Sequence, residues 1–354
     1  MHMADALISP AVGGVFWAAT AGLMTYCSKK MRNSFESLQV PLMGVLGAFI
    51  FASQMINFTI PGTGSSGHLG GGLLLAILLG PCPAFMTIAS VLTVQALFFA
   101  DGGLLALGCN IFNLGFFPCF LAYPFIYKLI AGEKPTQSRI VAGSILAAVV
   151  GLQLGAFGVV LETLFSGISE LPFSTFVLLM QPIHLAIGVV EGLVTASVVA
   201  FVWAARPEIL EMAAGHAPAK SFSIQKVLAT LMILALVTGT GLSWFASAHP
   251  DGLEWSMAKT SGKEELEAPE QGIHSMLGHL QEATSFLPDY GFKSAEVTEA
   301  AEGEAQHETA VVEEAEAWPA VDIGTSVAGV VGGSLTLLMA WSIALFLRRE
   351  QKTS

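Results

Sequence analysis

Apolar runs recur along the chain, separated by short polar breaks, near residues 11–27, 38–57, 69–82, 84–100, 104–127, 139–165, 175–205, 226–248 and 323–347. A helix of about 20 apolar residues crosses a hydrocarbon core about 30 Å thick. Lipid demands that every backbone polar group be satisfied inside the protein, which helices achieve segment by segment. The pattern predicts an all-α polytopic membrane protein of about nine transmembrane helices: a seven-span bundle followed by a two-span C-terminal unit. The third run is the short one. Leu69 to Gly80 gives about 18 Å of helix before Pro81-Cys82-Pro83 interrupts it. It is expected to cross, with a re-entrant segment as the alternative, because omitting it reverses the sidedness of every later basic cluster.

Sidedness follows from Lys and Arg, which are retained in cytoplasmic loops. Lys29, Lys30 and Arg32 follow the first run, and Lys128, Lys134 and Arg139 lie between the fifth and sixth. Arg206, Lys220 and Lys226 separate the seventh from the eighth, and Arg348, Arg349 and Lys352 close the chain. With nine alternating spans all four clusters share one side, which puts the N-terminus outside and the C-terminus in the cytoplasm. The polar stretch 206–225 then reads as a cytoplasmic linker between a membrane domain over 1–205 and a C-terminal unit over 226–354. Residues 249–321 form an extracytoplasmic segment that is Glu-rich, Ala-rich and poor in aromatics, and so is expected to be solvated, with 302–316 disordered or loosely helical.

Composition agrees with this picture. The chain is 53% hydrophobic and only 12% charged, against roughly 25% charged in a soluble domain. The net charge of −12 comes largely from the outer acidic segment and gives no basic surface for nucleic acid. Met1 to Pro10 contains Asp5 and no Lys or Arg, so it lacks the basic start of a removable signal peptide, and the chain is expected to keep its first residue. Cys27, Cys82, Cys109 and Cys119 lie in or beside apolar runs without CxxC spacing, and are read as packing residues.

The candidate chemistry sits at the chain start and in the glycine-rich loop 61–72. The amine of Met1, the backbone nitrogen of His2 and its imidazole can close adjacent chelate rings on one ion, in one plane. An α-amine titrates near pH 7.7–8.0 and an imidazole near 6.5, so both yield a proton to a metal at modest cost near neutrality. The predicted topology puts His68 on the same outer side, where it supplies a fourth nitrogen. All-nitrogen planar coordination favours Ni(II) or Cu(II) over tetrahedral Zn(II) and oxygen-seeking Mg(II). A solvated terminal histidine and an ordinary loop histidine are the plain alternatives. Within the spans, His184 and Glu191 lie two turns apart on one helix face; a structural hydrogen bond, support of the ligands or coupling to partners are the open roles. Asp5, Gln54 and Asn57 are comparable supporting candidates, and His249, His274, His279 and His307 read as solvated.

Met1-His2-Met3-Ala4-Asp5-Ala6-Leu7 with Ser9-Pro10 resembles the MHIxDGxLSP opening of the nickel and cobalt substrate-binding (S) components of energy-coupling-factor transporters. Further likenesses are Asn57 to Gly62, Ser66-Gly67-His68-Leu69-Gly70-Gly71, Leu78 to Pro81, Val94 to Phe98, Asp101-Gly102-Gly103, Gly108-Cys109-Asn110, and His184 to Gly188 with Glu191-Gly192. Met3, Ala4 and Ala6 depart from the usual residues but leave the ligating atoms intact. Pro250-Asp251-Gly252-Leu253-Glu254 resembles the PDGLE motif of the two-span accessory subunit, which makes this chain similar to a fusion of both; the same residues also suit a simple turn. The resemblance implies a metal site of Met1, His2 and His68, Ni2+ or Co2+ as the transported ion, and a multi-pass protein of the cell (inner) membrane. Its implied partners are a transmembrane coupling (T) subunit and ATP-binding-cassette ATPases, since the chain has no GxxxxGK[ST] loop of its own. Competing classes are a gradient-driven metal transporter, which wants ionisable groups on several spans where His184 with Glu191 alone qualifies, an intramembrane metalloprotease, for which HExxH is absent, and a passive metal receptor.

Overall fold

The computed structural model describes residues 2–34, 38–133, 135–215, 223–293 and 318–351. The helices are α1 (Pro10–Ser34), α2 (Gln39–Gln54), α3 (Gly72–Leu79), α4 (Pro81–Phe98), α5 (Leu107–Ala131), α6 (Gln137–Ser166), α7 (Phe173–Ala205), α8 (Glu208–Ala213), α9 (Gln225–Thr240), α10 (Gly252–Ser261), α11 (Ile273–Thr284) and α12 (Ile323–Gln351). A two-stranded antiparallel ribbon of β1 (Phe58–Ile60) and β2 (Ser65–Gly67) folds back the loop after α2.

Five described helices are long and apolar enough to cross a membrane: Pro81–Phe98, Leu107–Ala131, Gln137–Ser166, Phe173–Ala205 and Ile323–Arg349. α2 and α9 are apolar but shorter, and α1 spends its last turns on Lys29, Lys30 and Arg32. Only part of the run 69–82 forms a helix of its own. Its helix, α3, has 8 residues, about 12 Å of rise. Gly80 then turns the backbone at φ 84°, and α4 begins at Pro81. So short a helix survives because protein rather than lipid surrounds it: all of α3 is buried, and Gln39 Nε2 donates to the Leu79 carbonyl at 3.1 Å.

α5 is wound as a π-helix from Phe112 to Tyr127 and carries Pro118 and Pro124. α6 and α7 form a long hairpin closed by Gly167 at φ 62°. They approach closely because Gly188 and Gly192 lie against the backbone of Val149 and Ile145, the small-residue contact that suits helices packed in lipid. Leu146, Phe157, Phe165, Leu178 and Leu193 face outward, as a lipid-covered surface requires. α9 and α12 of the C-terminal unit pack on α2, with Gly239 against Gly329 and Phe51 against Gly332.

The solvated reading of 249–321 fails for α10, while α11 is mostly exposed and buries His274 alone. Both lie over the site end of the bundle, tied to it by Ser247 N to Asn57 O at 2.7 Å, Gln281 Nε2 to Gly102 O at 2.7 Å and Asp289 N to Phe99 O at 2.9 Å. The physical reason lies in apolar and hydrogen-bonding residues interspersed among the charges: Leu253, Met257 and Leu287 are buried, and so is His274, whose ring meets the Ile8 carbonyl at 2.9 Å. His249 and His279 are exposed as expected. His307 and the tract 302–316 lie outside the described residues. The four cysteines are buried and unbridged.

Candidate metal centre

The start of the chain is held by hydrogen bonds along its backbone. Asn110 on α5 clamps Met3 from both sides, its Oδ1 accepting from Met3 N at 2.8 Å and its Nδ2 donating to Met3 O at 3.1 Å; Gly103 N donates to the same carbonyl at 2.9 Å. Asp5 accepts from Ala106 N at 2.9 Å. Gly103 packs so tightly on the Asp5 backbone and carboxylate that a Cβ there overlaps both. Gly103→Ala is therefore expected to displace the N-terminal arm, and loss of hydrogen-exchange protection at Met3 reads it.

The arm delivers His2 against His68, their rings stacked with centroids 4.9 Å apart and planes 7° from parallel. Both side chains are nearly buried. His2 Nδ1 faces Asp101 Oδ1 at 2.9 Å, while His2 Nε2 is buried with no hydrogen-bond partner among the described residues. Asp101 also accepts from the Tyr290 hydroxyl. Burial pushes the Asp101 carboxyl up, but the charge and hydrogen bond of His2, with Tyr290, hold it well below the carboxylate range. A network continues from Tyr290 through Gln95, whose Nε2 donates to Tyr290 at 3.2 Å and to Gln54 Oε1 at 2.9 Å, to Gln54 Nε2 and the Gly70 carbonyl at 2.9 Å.

His68 is carried by the loop between β2 and α3. Its Nδ1 lies 3.1 Å from the Leu69 carbonyl, which can only accept, so Nδ1 carries the proton and Nε2 presents a lone pair. Burial, with His2 adding, pushes its pKa down to about 3. The native ring thus refuses a proton that the unfolded chain takes below about pH 6.5. The sign follows: His68 costs nothing above pH 6.5 and destabilises the fold progressively as pH falls from there toward 3. An imidazole nitrogen titration by NMR is expected to show His68 neutral at pH 5, where an exposed histidine is charged.

Glu191 on α7 anchors the loop from below, accepting from Gly70 N at 3.2 Å and Gly71 N at 3.0 Å. Glu191→Gln turns one of those acceptors into a donor facing an N–H, and leaving a buried backbone donor unmade costs about 1–3 kcal/mol. Loop protection in hydrogen exchange is expected to fall accordingly. The loop also bonds to the C-terminal unit: Ser66 N donates to Pro250 O at 2.8 Å, Ser66 Oγ to His249 O at 2.7 Å, and Trp255 Nε1 to Thr63 O at 3.0 Å. Asp251 caps α10, taking hydrogen bonds from Leu253 N and Glu254 N at 2.7 and 3.0 Å on Oδ1. Its Oδ2 lies 3.8 Å from His68 Nε2.

The structure thus gathers His2, His68, Gln54, Asp5 and Glu191 at one end of the bundle, with His184 about two helix turns before Glu191 on α7. Asn57 takes part through its carbonyl. Met1 lies outside the described residues. Among the described residues, no three or more His, Cys, Asp or Glu side chains form a ligating cluster. Two imidazoles therefore leave room for main-chain donors rather than a side-chain cage. Asp101, Asn110 and Asp251 sit in motifs that sequence reasoning singled out without giving them a role; for Tyr290 no signal existed. Glu162, near the end of α6, is a further buried ionisable group, bonded to Asn113 Nδ2 at 2.8 Å.

Fold and site define a polytopic helical membrane protein whose N-terminal arm is docked beside a buried imidazole pair. Residues 2–209 match the family described as the cobalt uptake substrate-specific transmembrane region, CbiM, and residues 225–349 match the PDGLE domain. The chain belongs to the CbiM family and carries a PDGLE unit fused behind it. It is 30% identical to a protein of Archaeoglobus fulgidus named for fused nickel transport, NikMN, over 98% of this chain and 99% of that one. The fused nickel transport protein NikMN of Rhodobacter capsulatus is 32% identical over 82% of this chain and 88% of its own length. The cobalt transport protein CbiM of Sorangium cellulosum is 28% identical over 60% and 95%. Two crystal structures of a transition metal transporter, one truncated, are 31% identical with TM-scores of 0.52 and 0.51; each covers 58% of this chain, and 99% and 93% of the solved chains are matched.

Proposed function

We propose that this chain captures Ni2+, with Co2+ as the alternative, as the substrate-specific membrane subunit of an ATP-driven energy-coupling-factor importer. The ion is held outside by the Met1 amine, the His2 amide and imidazole nitrogens, and His68. The observation that carries this reading is the delivery of His2 onto His68 by an arm clamped at Met3 and Asp5. An imidazole on residue 2 can share a planar chelate with the chain's own amine, and that chelate uses Nδ1, the nitrogen now facing Asp101. Loading therefore exchanges the Asp101 contact for the ion, so Asp101 holds the empty ring in place and the metal displaces it. Planar all-nitrogen donors favour nickel, while relatives named for either metal keep cobalt open.

In this reading the outer face carries the N-terminus, the linker 206–225 lies in the cytoplasm, and seven N-terminal plus two C-terminal segments sit in the cell membrane. A coupling subunit and partner ATPases supply the energy and reorient the bundle for release. Glu162 gives one specific reason to keep a gradient-driven transporter in view, since it adds an ionisable group on a further span. Uptake of radiolabelled Ni2+ by cells producing the chain with and without ATPase partners separates the two: uptake that persists without them overturns the ATP-driven reading. His68→Ala in the same assay is expected to reduce uptake to background.

A further inference from the structure

A small cavity of ≈ 10 Å3 lies directly inward of His68, lined by Gly67, His68, Gly70, His184, Asp251 and Gly252 among others. A space of that size is at the limit for a single water and ample for a bare divalent ion. His184, 1% exposed on α7, has its Nδ1 2.7 Å from the Met180 carbonyl. A carbonyl only accepts, so Nδ1 is protonated and Nε2 carries a lone pair. That Nε2 is buried without a hydrogen-bond partner among the described residues. An imidazole fixed by Nδ1–H to a carbonyl, with Nε2 bare, is the arrangement in which protein histidines bind metals. The turn bearing Asp251 reaches it because Gly252 has no side chain: a Cβ there lies 3.0 Å from His184 Cε1. Asp251 spends Oδ1 on its helix cap and turns Oδ2 toward His68.

We propose that His184 Nε2 and Asp251 form a second station for the divalent ion, beside His68, one step inward of the planar site and completed by the fused C-terminal unit. The inference rests on the planar-site reading for its first step. The inner donors are one imidazole nitrogen and a carboxylate oxygen, not a plane of four nitrogens, so the inner station holds the ion less tightly and lets it move on. His68 passes the ion because it borders both places. No comparable donor lies beside the cavity on α5 or α6, whose lining residues there are Leu114 and Leu152.

The test uses the full-length purified chain in detergent and equilibrium dialysis against radiolabelled Ni2+. His184→Asn keeps a donor to the Met180 carbonyl and removes Nε2, so a purely structural role survives it; Asp251→Asn keeps the helix cap and removes the charge. The unsubstituted chain is expected to bind a tight and a weaker equivalent. His184→Asn should lose the weaker one and leave the tight one within about threefold, while Asp251→Asn weakens the second by about tenfold. Uptake by cells with partner subunits should fall at least tenfold in His184→Asn. A single equivalent in the unsubstituted chain overturns the proposal, since the cavity then holds water only. So does a second equivalent that survives His184→Asn, which belongs to exposed His249 or His279, and so does loss of the tight equivalent in that variant. Survival of the tight equivalent after one residue is added ahead of Met1 fails the planar reading instead, and the weak equivalent is then judged on His184→Asn alone.

Discussion

A single glycine added ahead of Met1 is expected to abolish Ni2+ capture, lowering affinity by at least about 100-fold, more than the loss of an outer hydrogen bond to a ligand typically costs. The extension leaves every side chain of the site in place. What it moves is the primary amine, which ceases to be adjacent to the His2 amide, so the fused chelate rings cannot close on the same ion. The Met3 and Asp5 clamps to Asn110, Gly103 and Ala106 fix where residue 2 sits, so the arm cannot slide outward by a residue to compensate. A site made from the described side chains alone would behave otherwise. His2, His68 and the carboxylates of Asp101 and Asp251 are mixed nitrogen and oxygen donors, a set that suits tetrahedral Zn2+ and ignores what precedes Met1. Titrating the native and extended chains with Ni2+, Co2+ and Zn2+ decides between the two. Equal nickel binding by both chains removes the terminal amine from the site.

Asn110→Ala carries the second largest expected effect. It leaves the Met3 N–H, wholly buried, without an acceptor and deprives the Met3 carbonyl of one of its two donors. An unmade buried donor costs about 1–3 kcal/mol, and here the cost falls on the docked state of the arm. Undocked, the arm solvates its backbone and His2 leaves His68. Metal affinity is therefore expected to fall by about 10- to 100-fold, since each 1.4 kcal/mol is a factor of ten. Asn110→Asp keeps the acceptor and loses the donor, so it should retain more binding than alanine. Hydrogen exchange at Met3 in the apo chain supplies the second readout, with protection lost in the alanine variant. Unchanged exchange with weakened binding would mean that Asn110 acts otherwise than by docking the arm.

Much of the membrane architecture was readable along the chain because hydrocarbon thickness translates directly into run length. α4, α6, α7 and α12 fall where long apolar runs place them. α3 escaped the same logic: its sequence is uniformly apolar, yet Gly80 and Pro81 end it after two turns, and only its burial among neighbours permits that. The acidic outer segment misled for the opposite reason. Averaged composition hides Leu253 and Met257, which bury one face of α10, and His274, the one buried residue of α11.

For the proposed site, the sequence by itself supplied the candidate donors that depend on covalent adjacency. Met1 and His2 are neighbours whatever the fold, and the glycines around His68 mark a loop free to approach closely. Tertiary structure alone decided what holds and borders them. Asp101, Asn110, Asp251 and Tyr290 come from separate stretches of chain, the last two from the C-terminal unit, and each meets a partner a hundred or more residues away. Local patterns encode periodicity and chelate rings because both are fixed by neighbouring atoms. Contacts between distant segments depend on how helices pack, and no residue's immediate neighbours specify that.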